Sequence, residues 1–215
     1  MKIKWLGHAS FVITSDKGLR ILTDPYETGG DLTYGEIKES ADIVTVSHEH
    51  ADHNNVSAVE GSPEVVRGAA KGRVKGIEFN SISTYHDDAQ GRSRGENTIF
   101  CFKVDGVRIC HLGDLGHQLS DEQIAELGKV DVLLIPIGGF YTIGAKVASQ
   151  LCDKLMPKVV IPMHYKTSKC SFPITGVDEF LRGKERVTRL NTSEVELKQG
   201  QLPESTQIIV LKSAL

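Results

Sequence analysis

No stretch of this 215-residue chain is apolar for long enough to cross a bilayer as a helix. The longest runs, Val130 to Ile137 and Val159 to Met163, fall far short of the roughly 20 residues that a spanning helix needs, so no membrane partner is expected. The opening residues, Met1-Lys2-Ile3-Lys4-Trp5-Leu6-Gly7-His8, lack the apolar core of a signal peptide. Cysteine is scarce: Cys101, Cys110, Cys152 and Cys170 form no C-x-x-C pair. They read as reduced thiols of a cytoplasmic protein, with Cys101 and Cys110 interior to strands. A strong charge of either sign is also missing. With 25 Lys and Arg against 28 Asp and Glu, the formal charge is −3, which argues against a general nucleic-acid-binding surface. An apolar fraction of 40% and a charged fraction of 25% are those of an ordinary globular protein, and the length suits one core and a single domain over 1–215.

One resource is abundant in one place. His48-Glu49-His50-Ala51-Asp52-His53 puts three imidazoles and a carboxylate into a single short turn. Neutral imidazole nitrogens and carboxylate oxygens are good ligands for a borderline divalent metal such as zinc. Without a cation the cluster is electrostatically awkward, because neighbouring histidines resist simultaneous protonation. The order is not His-Glu-x-x-His, which disfavours a zincin-type protease.

The first half of the chain reads as short strands rich in β-branched and aromatic residues: Lys2–Leu6, Ser10–Thr14, Leu19–Thr23, Ile43–Ser47, a long run from Gly76 to Tyr85, Thr98–Val104 and Val107–Leu112. Val104-Asp105-Gly106-Val107 signals a hairpin, and Asn54–Glu60 is a candidate helix. The second half alternates. A capping-box start at Ser120 predicts a helix to Leu127, closed by Gly128. Val130–Ile135 and Lys158–Ile161 read as buried strands around a helix over Ala145–Met156 that Pro157 ends. A short helix near Val177–Leu181 and edge strands near Glu194–Leu197 and Gln207–Leu211 follow. This amount of β-meander plus β-α-β material predicts an α/β (α+β) fold of two mixed sheets with helices outside, a four-layer αββα sandwich.

Five separate segments place a His or Asp just past the carboxyl end of a strand: Asp24, His48, His86, Asp114 and His164. Strand ends at that edge converge, and α/β sheets bind ligands there.

These residues carry a resemblance. His48-x-His50-x-Asp52-His53, the preceding Thr23-Asp24-Pro25, and Gly113-Asp114 with Pro162-Met163-His164 resemble the metallo-β-lactamase superfamily. Trp5-Leu6-Gly7-His8-Ala9-Ser10 and Gly138-Gly139-Phe140-Tyr141-Thr142-Ile143 resemble its predicted metal-dependent hydrolase branch, which is similar to ascorbate-6-phosphate lactonase. The resemblance implies the fold and a binuclear centre of two divalent metal ions, zinc foremost, with manganese and iron as alternatives. His48, His50 and His86 would hold one ion and Asp52, His53 and His164 the other, with Asp114 bridging both. Asp24 would orient ligand side chains without touching metal; alternatively it opens a turn before Pro25. His8 either lines the site or is a hydrogen-bonded core histidine, and His111, inside a strand, reads as a core histidine.

The implied chemistry is hydrolysis by a hydroxide that the two metals activate at neutral pH. Asp114 holds the metals together and Asp52 orients the nucleophile, while His117 and Tyr141 are candidate proton donors. Arg92, Arg94, Lys166 and Lys169 lie in loops that follow His86 and His164. They suit a phosphate or carboxylate on the substrate, although solvated loop charges explain them too. The expected substrate is a small anionic ester, lactone or phosphodiester. Three rivals stand beside this reading: a metal-dependent nuclease, a di-iron redox protein, and a non-catalytic metal-binding module. A homo-oligomer stays open.

Overall fold

The computed structural model describes Met1–Leu215. The first part of the chain forms β1 (Lys2–Gly7), β2 (Ser10–Thr14), β3 (Arg20–Thr23), β4 (Ile43–Val46) and β5 (Glu64–Arg67). The middle of the chain forms β6 (Lys71–Val74), β7 (Ile77–Asn80), β8 (Ile82–Tyr85), β9 (Glu96–Val104) and β10 (Val107–His111). Helices α1 (Asp121–Leu127), α2 (Ala145–Leu155) and α3 (Val177–Leu181) then alternate with β11 (Val132–Pro136), β12 (Val159–Met163), β13 (Val187–Arg189), β14 (Glu194–Glu196) and β15 (Gln207–Val210).

The strands make two sheets. The first runs β14-β1-β2-β3-β4-β5; the second has nine strands, ordered β13-β15-β12-β11-β10-β9-β7-β6, with β8 also paired to β9. Pairing is parallel from β3 through β5 and from β10 to β13. Ile3, Ile13, Ile21 and Ile43 stand in register across the first sheet. All four are fully buried against Phe100, Phe102 and Ile109 of the second. The opposite face carries Val12, Leu22 and Val44 under Tyr26, Tyr34 and Ile37. Burial of both faces by apolar side chains is the main stabilising term for such a fold. This is the expected two-sheet architecture, with one local difference. The first sheet's outer face is covered by irregular chain from the 26–37 stretch and a 3₁₀ turn, not by an α-helix.

Local departures have local causes. The candidate helix at Asn54–Glu60 is only a 3₁₀ turn, Val56–Ala58. The Asn55 and Glu60 amides donate instead to Pro25 O and Glu39 O, so tertiary bonds take groups a helix would use. The run from Gly76 to Tyr85 is split at Ser81, whose amide donates to Ala70 O while both halves keep one register on β9. Strands β5, β6 and β13 escaped sequence reading, and each is the edge of a sheet. Edge strands are short and charged, which erases the alternation signal. Conversely β15, expected at an edge, lies between β13 and β12. Helix α1 has the anticipated capping box, with Ser120 Oγ accepting from the Gln123 amide, and Gly128 closing it at φ 65°. No helix is long and apolar enough to cross a membrane.

The cysteine reading needs correction. Cys101 and Cys110 are directly opposite in the β9–β10 hairpin, with Cα atoms 4.1 Å apart, and are joined as a disulfide. Hairpin register, not sequence spacing, brings them together. Only Cys152 and Cys170 are free thiols, both buried. Two thiols should therefore react in the denatured, unreduced protein and four after reduction. A bridge closing so short a loop contributes about 2–3 kcal/mol, so the Cys101→Ser variant should melt several degrees lower by calorimetry; four reactive thiols before reduction would refute the pairing.

Candidate metal centre

The parallel pair β3–β4 and the strands β8, β10 and β12 all end at one edge, so the residues beyond them converge. The Asp24 amide donates to Thr45 O across β3–β4, which brings Asp24 beside the start of the histidine turn. Asp24 is completely buried. Its Oδ1 accepts from the Ser47 amide at 2.8 Å, and its Oδ2 accepts from Ser47 Oγ at 2.6 Å and from His53 Nδ1 at 2.9 Å. The single Ser47 hydroxyl proton goes to Asp24, so Ser47 Oγ accepts from His48 Nδ1 at 3.0 Å. In their neutral forms both imidazoles thus carry the proton on Nδ1 and present an unprotonated Nε2 inward.

The Asp114 carboxylate sits where those nitrogens point. Its Oδ2 is 3.3 Å from His53 Nε2, 3.3 Å from His86 Nε2, 3.2 Å from His164 Nε2 and 4.0 Å from His48 Nε2. His50 stacks edge-on to His48 and lies 5.2 Å, ring to ring, from His86. Three sets of donor atoms lie within coordinating range of one another: His48, His50 and His86; His48, His53 and Asp114; and His8, Asp52, His53 and His164. His48 Nε2, His53 Nε2 and Asp114 Oδ1 are buried with no hydrogen-bond partner. Lone pairs aimed at a carboxylate in a dry site are costly unless a cation lies between them. The donor set, borderline nitrogen with carboxylate oxygen, fits zinc, manganese or iron.

Electrostatics report the same demand. Burial alone depresses His53, yet the Asp114 and Asp52 carboxylates outweigh it and raise its pKa well above the ordinary imidazole value. Burial would raise Asp114, but His164 and His53 hold it well below the carboxylate range. Burial, then His53, pushes His48 down to about 3. Burial, then His164, pushes His8 down to about 4. His8 Nε2 bonds Asp52 Oδ2 at 3.1 Å, so His8 touches the cluster rather than resting in the core. His111 does rest there: its Nδ1 accepts from the Gly113 amide and its Nε2 donates to Ala9 O.

The backbone is strained where it presents these groups. His8, Asp24 and His164 have φ of 50°, 41° and 49°, a left-handed conformation costing roughly 1–2 kcal/mol per residue. Glycine is required beside them at two close approaches. A Cβ on Gly113 would lie 2.3 Å from Asn97 Oδ1, which accepts the Asp114 amide; one on Gly116 would lie 2.3 Å from the Asp87 nitrogen.

A cavity of about 670 Å³ opens over the cluster, reaching His50, Asp52, His86, Asp114 and His164. Of the proposed substrate residues, Arg94 and Tyr141 line it, with the Arg94 guanidinium 5.2 Å from the Tyr141 ring centre. The others are not brought there. Arg92 is exposed and donates to Ala89 O, while Lys166 donates to Phe172 O. His117 spends both nitrogens on backbone, accepting from the Tyr85 amide and donating to Gln118 O. A loop charge or imidazole is as easily drawn to a nearby backbone group as to a ligand, and sequence spacing cannot separate the two outcomes.

Sequence reasoning missed Ser47, Asn97, Asp87 and Phe172. Asp87 collects four amides, from Ala89, Gly91, Ser93 and Arg94, and so shapes the loop that carries Arg94. An Asp beside a Gly-, Ser- and Arg-containing loop was the available signal.

Residues 2–164 match the family described as the Beta-lactamase superfamily domain. The chain belongs to the metallo-β-lactamase superfamily. It is 32% identical to a UPF0173 metal-dependent hydrolase of Archaeoglobus fulgidus, covering 94% of this chain and 97% of that one. A Thermococcus onnurineus protein of the same name is also 32% identical, over 78% and 85% of the two chains. A crystal structure from Thermotoga maritima, of a protein assigned to the metallo-β-lactamase superfamily, superposes with a TM-score of 0.81 at 37% identity, over 98% of this chain and 97% of that one.

Two consequences are measurable. Asp24→Ala removes the acceptor that aims His53 and Ser47, and should weaken metal binding about 10- to 100-fold in a competitive-chelator titration; unchanged affinity would show that Asp24 merely closes a turn. Burial opposes Asp87 ionisation, but its four amide donors win and lower its pKa to about 2. Its hold on the loop is therefore complete above the unfolded value near 3.9 and is lost as pH falls toward about 2. Asp87→Ala at neutral pH should speed hydrogen exchange of the Ser93 and Arg94 amides; unaltered protection would exclude this role.

Proposed function

We propose that this centre takes up two divalent cations, zinc foremost, with manganese and iron as alternatives, and hydrolyses a small ester, lactone or phosphodiester bearing an anionic group. The coarse activity is that of its superfamily and relatives, a metal-dependent hydrolase. One observation supports the finer reading above all: Asp114 Oδ2 stands 3.2–4.0 Å from four imidazole nitrogens. In this reading His48, His50 and His86 would hold one cation and Asp52, His53 and His164 the other, with Asp114 available to both.

When bound, the cations supply a water whose pKa falls from about 15.7 towards roughly 7, and a Lewis acid for the substrate oxygen. The chain's own residues do the rest. Asp52, held by His8 and reaching the cavity floor, orients the attacking water by accepting its hydrogen bond. Arg94 receives the substrate's anionic group by charge-assisted hydrogen bonds. The Tyr141 phenol lines the same cavity and donates a proton to a poor leaving group, a task His117 cannot reach. Lactone opening needs no departing fragment and suits this cavity equally.

The experiment is a panel of phosphodiesters, lactones and carboxylic esters, assayed with and without chelator. Turnover of at least one class should vanish on chelation, return with zinc or manganese, and fall by about a hundredfold or more in Asp114→Ala. Absence of chelator-sensitive turnover across the panel would overturn the reading.

A further inference from the structure

The cavity rim is divided into chemically distinct sectors. Glu27 and Asp31 stand on one stretch, both exposed and both lining the cavity. Ser171 ties that stretch to the next through its amide, which donates to Asp31 O, and its hydroxyl, which donates to Asp31 Oδ1. Immediately beyond comes an aromatic sector. Phe172 meets Tyr141 edge-to-face at 5.4 Å, and Tyr141 meets Phe140 edge-to-face at 4.7 Å. At its inner end Phe172 lies 5.8 Å from the His8 ring, so the aromatic strip reaches the metal cluster. Past Tyr141 comes Arg94.

Phe140 is the anomaly that gives this strip meaning. It is 63% exposed and holds a left-handed φ of 61°. A bulky residue carries two costs there, exposure of an apolar ring and backbone strain, and neither serves the core. The Phe140 ring packs on Tyr141, which lines the cavity.

Resting on the hydrolase reading above, we infer that the substrate carries a planar aromatic ring next to its scissile group, seated on Phe172 and Tyr141, the latter supported by Phe140, with a hydrogen-bond-donating or cationic edge toward Glu27 and Asp31. A tail without donors would cover the Glu27 carboxylate and give it no partner, which is unfavourable. A flat ring pairs its face and edge with the aromatic side chains, and a donor substituent on its rim satisfies the acids. The anionic group then lies toward Arg94 and the cations, so the substrate is bifunctional, with an anion at one end and donors at the other. The volume, about 670 Å³, falls in the range of small-molecule sites.

The test uses four probes titrated by calorimetry into zinc-loaded protein: methylphosphonate, cyclohexylmethylphosphonate, benzylphosphonate and 4-aminobenzylphosphonate. Benzylphosphonate should bind about five- to tenfold tighter than its cyclohexyl analogue, and the amino group should add about threefold more. Phe172→Leu should erase the benzyl preference, Phe140→Leu, at an exposed position, should reduce it, and Glu27→Gln should erase the amino increment. If methylphosphonate binds but the benzyl and cyclohexyl probes bind alike, the ring slot is wrong while the metal centre stands. If none of the four binds, the anion-receiving metal centre falls and the ring slot falls with it.

Discussion

At the middle of this protein a carboxylate oxygen of Asp114 faces four imidazole nitrogens, at least two of them fixed with their lone pairs pointing inward. In a buried, low-dielectric setting that arrangement is repulsive unless positive charge occupies the space between. A proton can supply some of it, which is why His53 is driven above its ordinary range. A divalent cation supplies more and satisfies several lone pairs together. The cation requirement thus follows from hydrogen-bond bookkeeping around Asp24 and Ser47, one layer out from the ligands themselves.

That outer layer explains how much structure is committed to the site. Asp24 spends both carboxylate oxygens on Ser47 and His53, Asn97 accepts the Asp114 amide, and His8 holds Asp52. Three of the presenting residues adopt left-handed backbone conformations, and glycines at 113 and 116 let chain segments pass at distances no side chain allows. Strain persists only where surroundings over-determine it. Here the surroundings are two sheets whose inner faces share one continuous apolar core, rigid enough to hold the loops at one edge.

The outer chemistry of the cavity is set by a different logic. Loops at the strand ends contribute Glu27 and Asp31, Tyr141, Phe172, and Arg94, drawn from four segments far apart in sequence. The Arg94 loop is organised by Asp87, which turns four backbone amides toward one carboxylate. Selection of substrate therefore belongs to loops that the scaffold positions but does not itself specify, the usual division of labour in folds that host many reactions.

Much of this was legible in the chain. The strands β1 to β4 and β9 to β12, the capped helix α1, and the dense histidine turn follow from periodicity, capping residues and ligand chemistry, all of which are local properties. Asp24, His48, His86, Asp114 and His164 could be placed at strand ends because strand ends are readable. Edge strands such as β5 and β13 were not, since a half-solvated edge carries no apolar alternation. Nor was the Cys101–Cys110 bond, which depends on which residues face each other across a hairpin. Arg94 turning inward while Arg92 and Lys166 turn to backbone carbonyls, and His117 being consumed by Tyr85 and Gln118, were decided only in three dimensions. The physical reason is the same in each case: local sequence determines which groups exist and how the backbone carries them, whereas the choice among competing hydrogen-bond partners is made by distance, and distance between remote segments is a property of the folded chain alone.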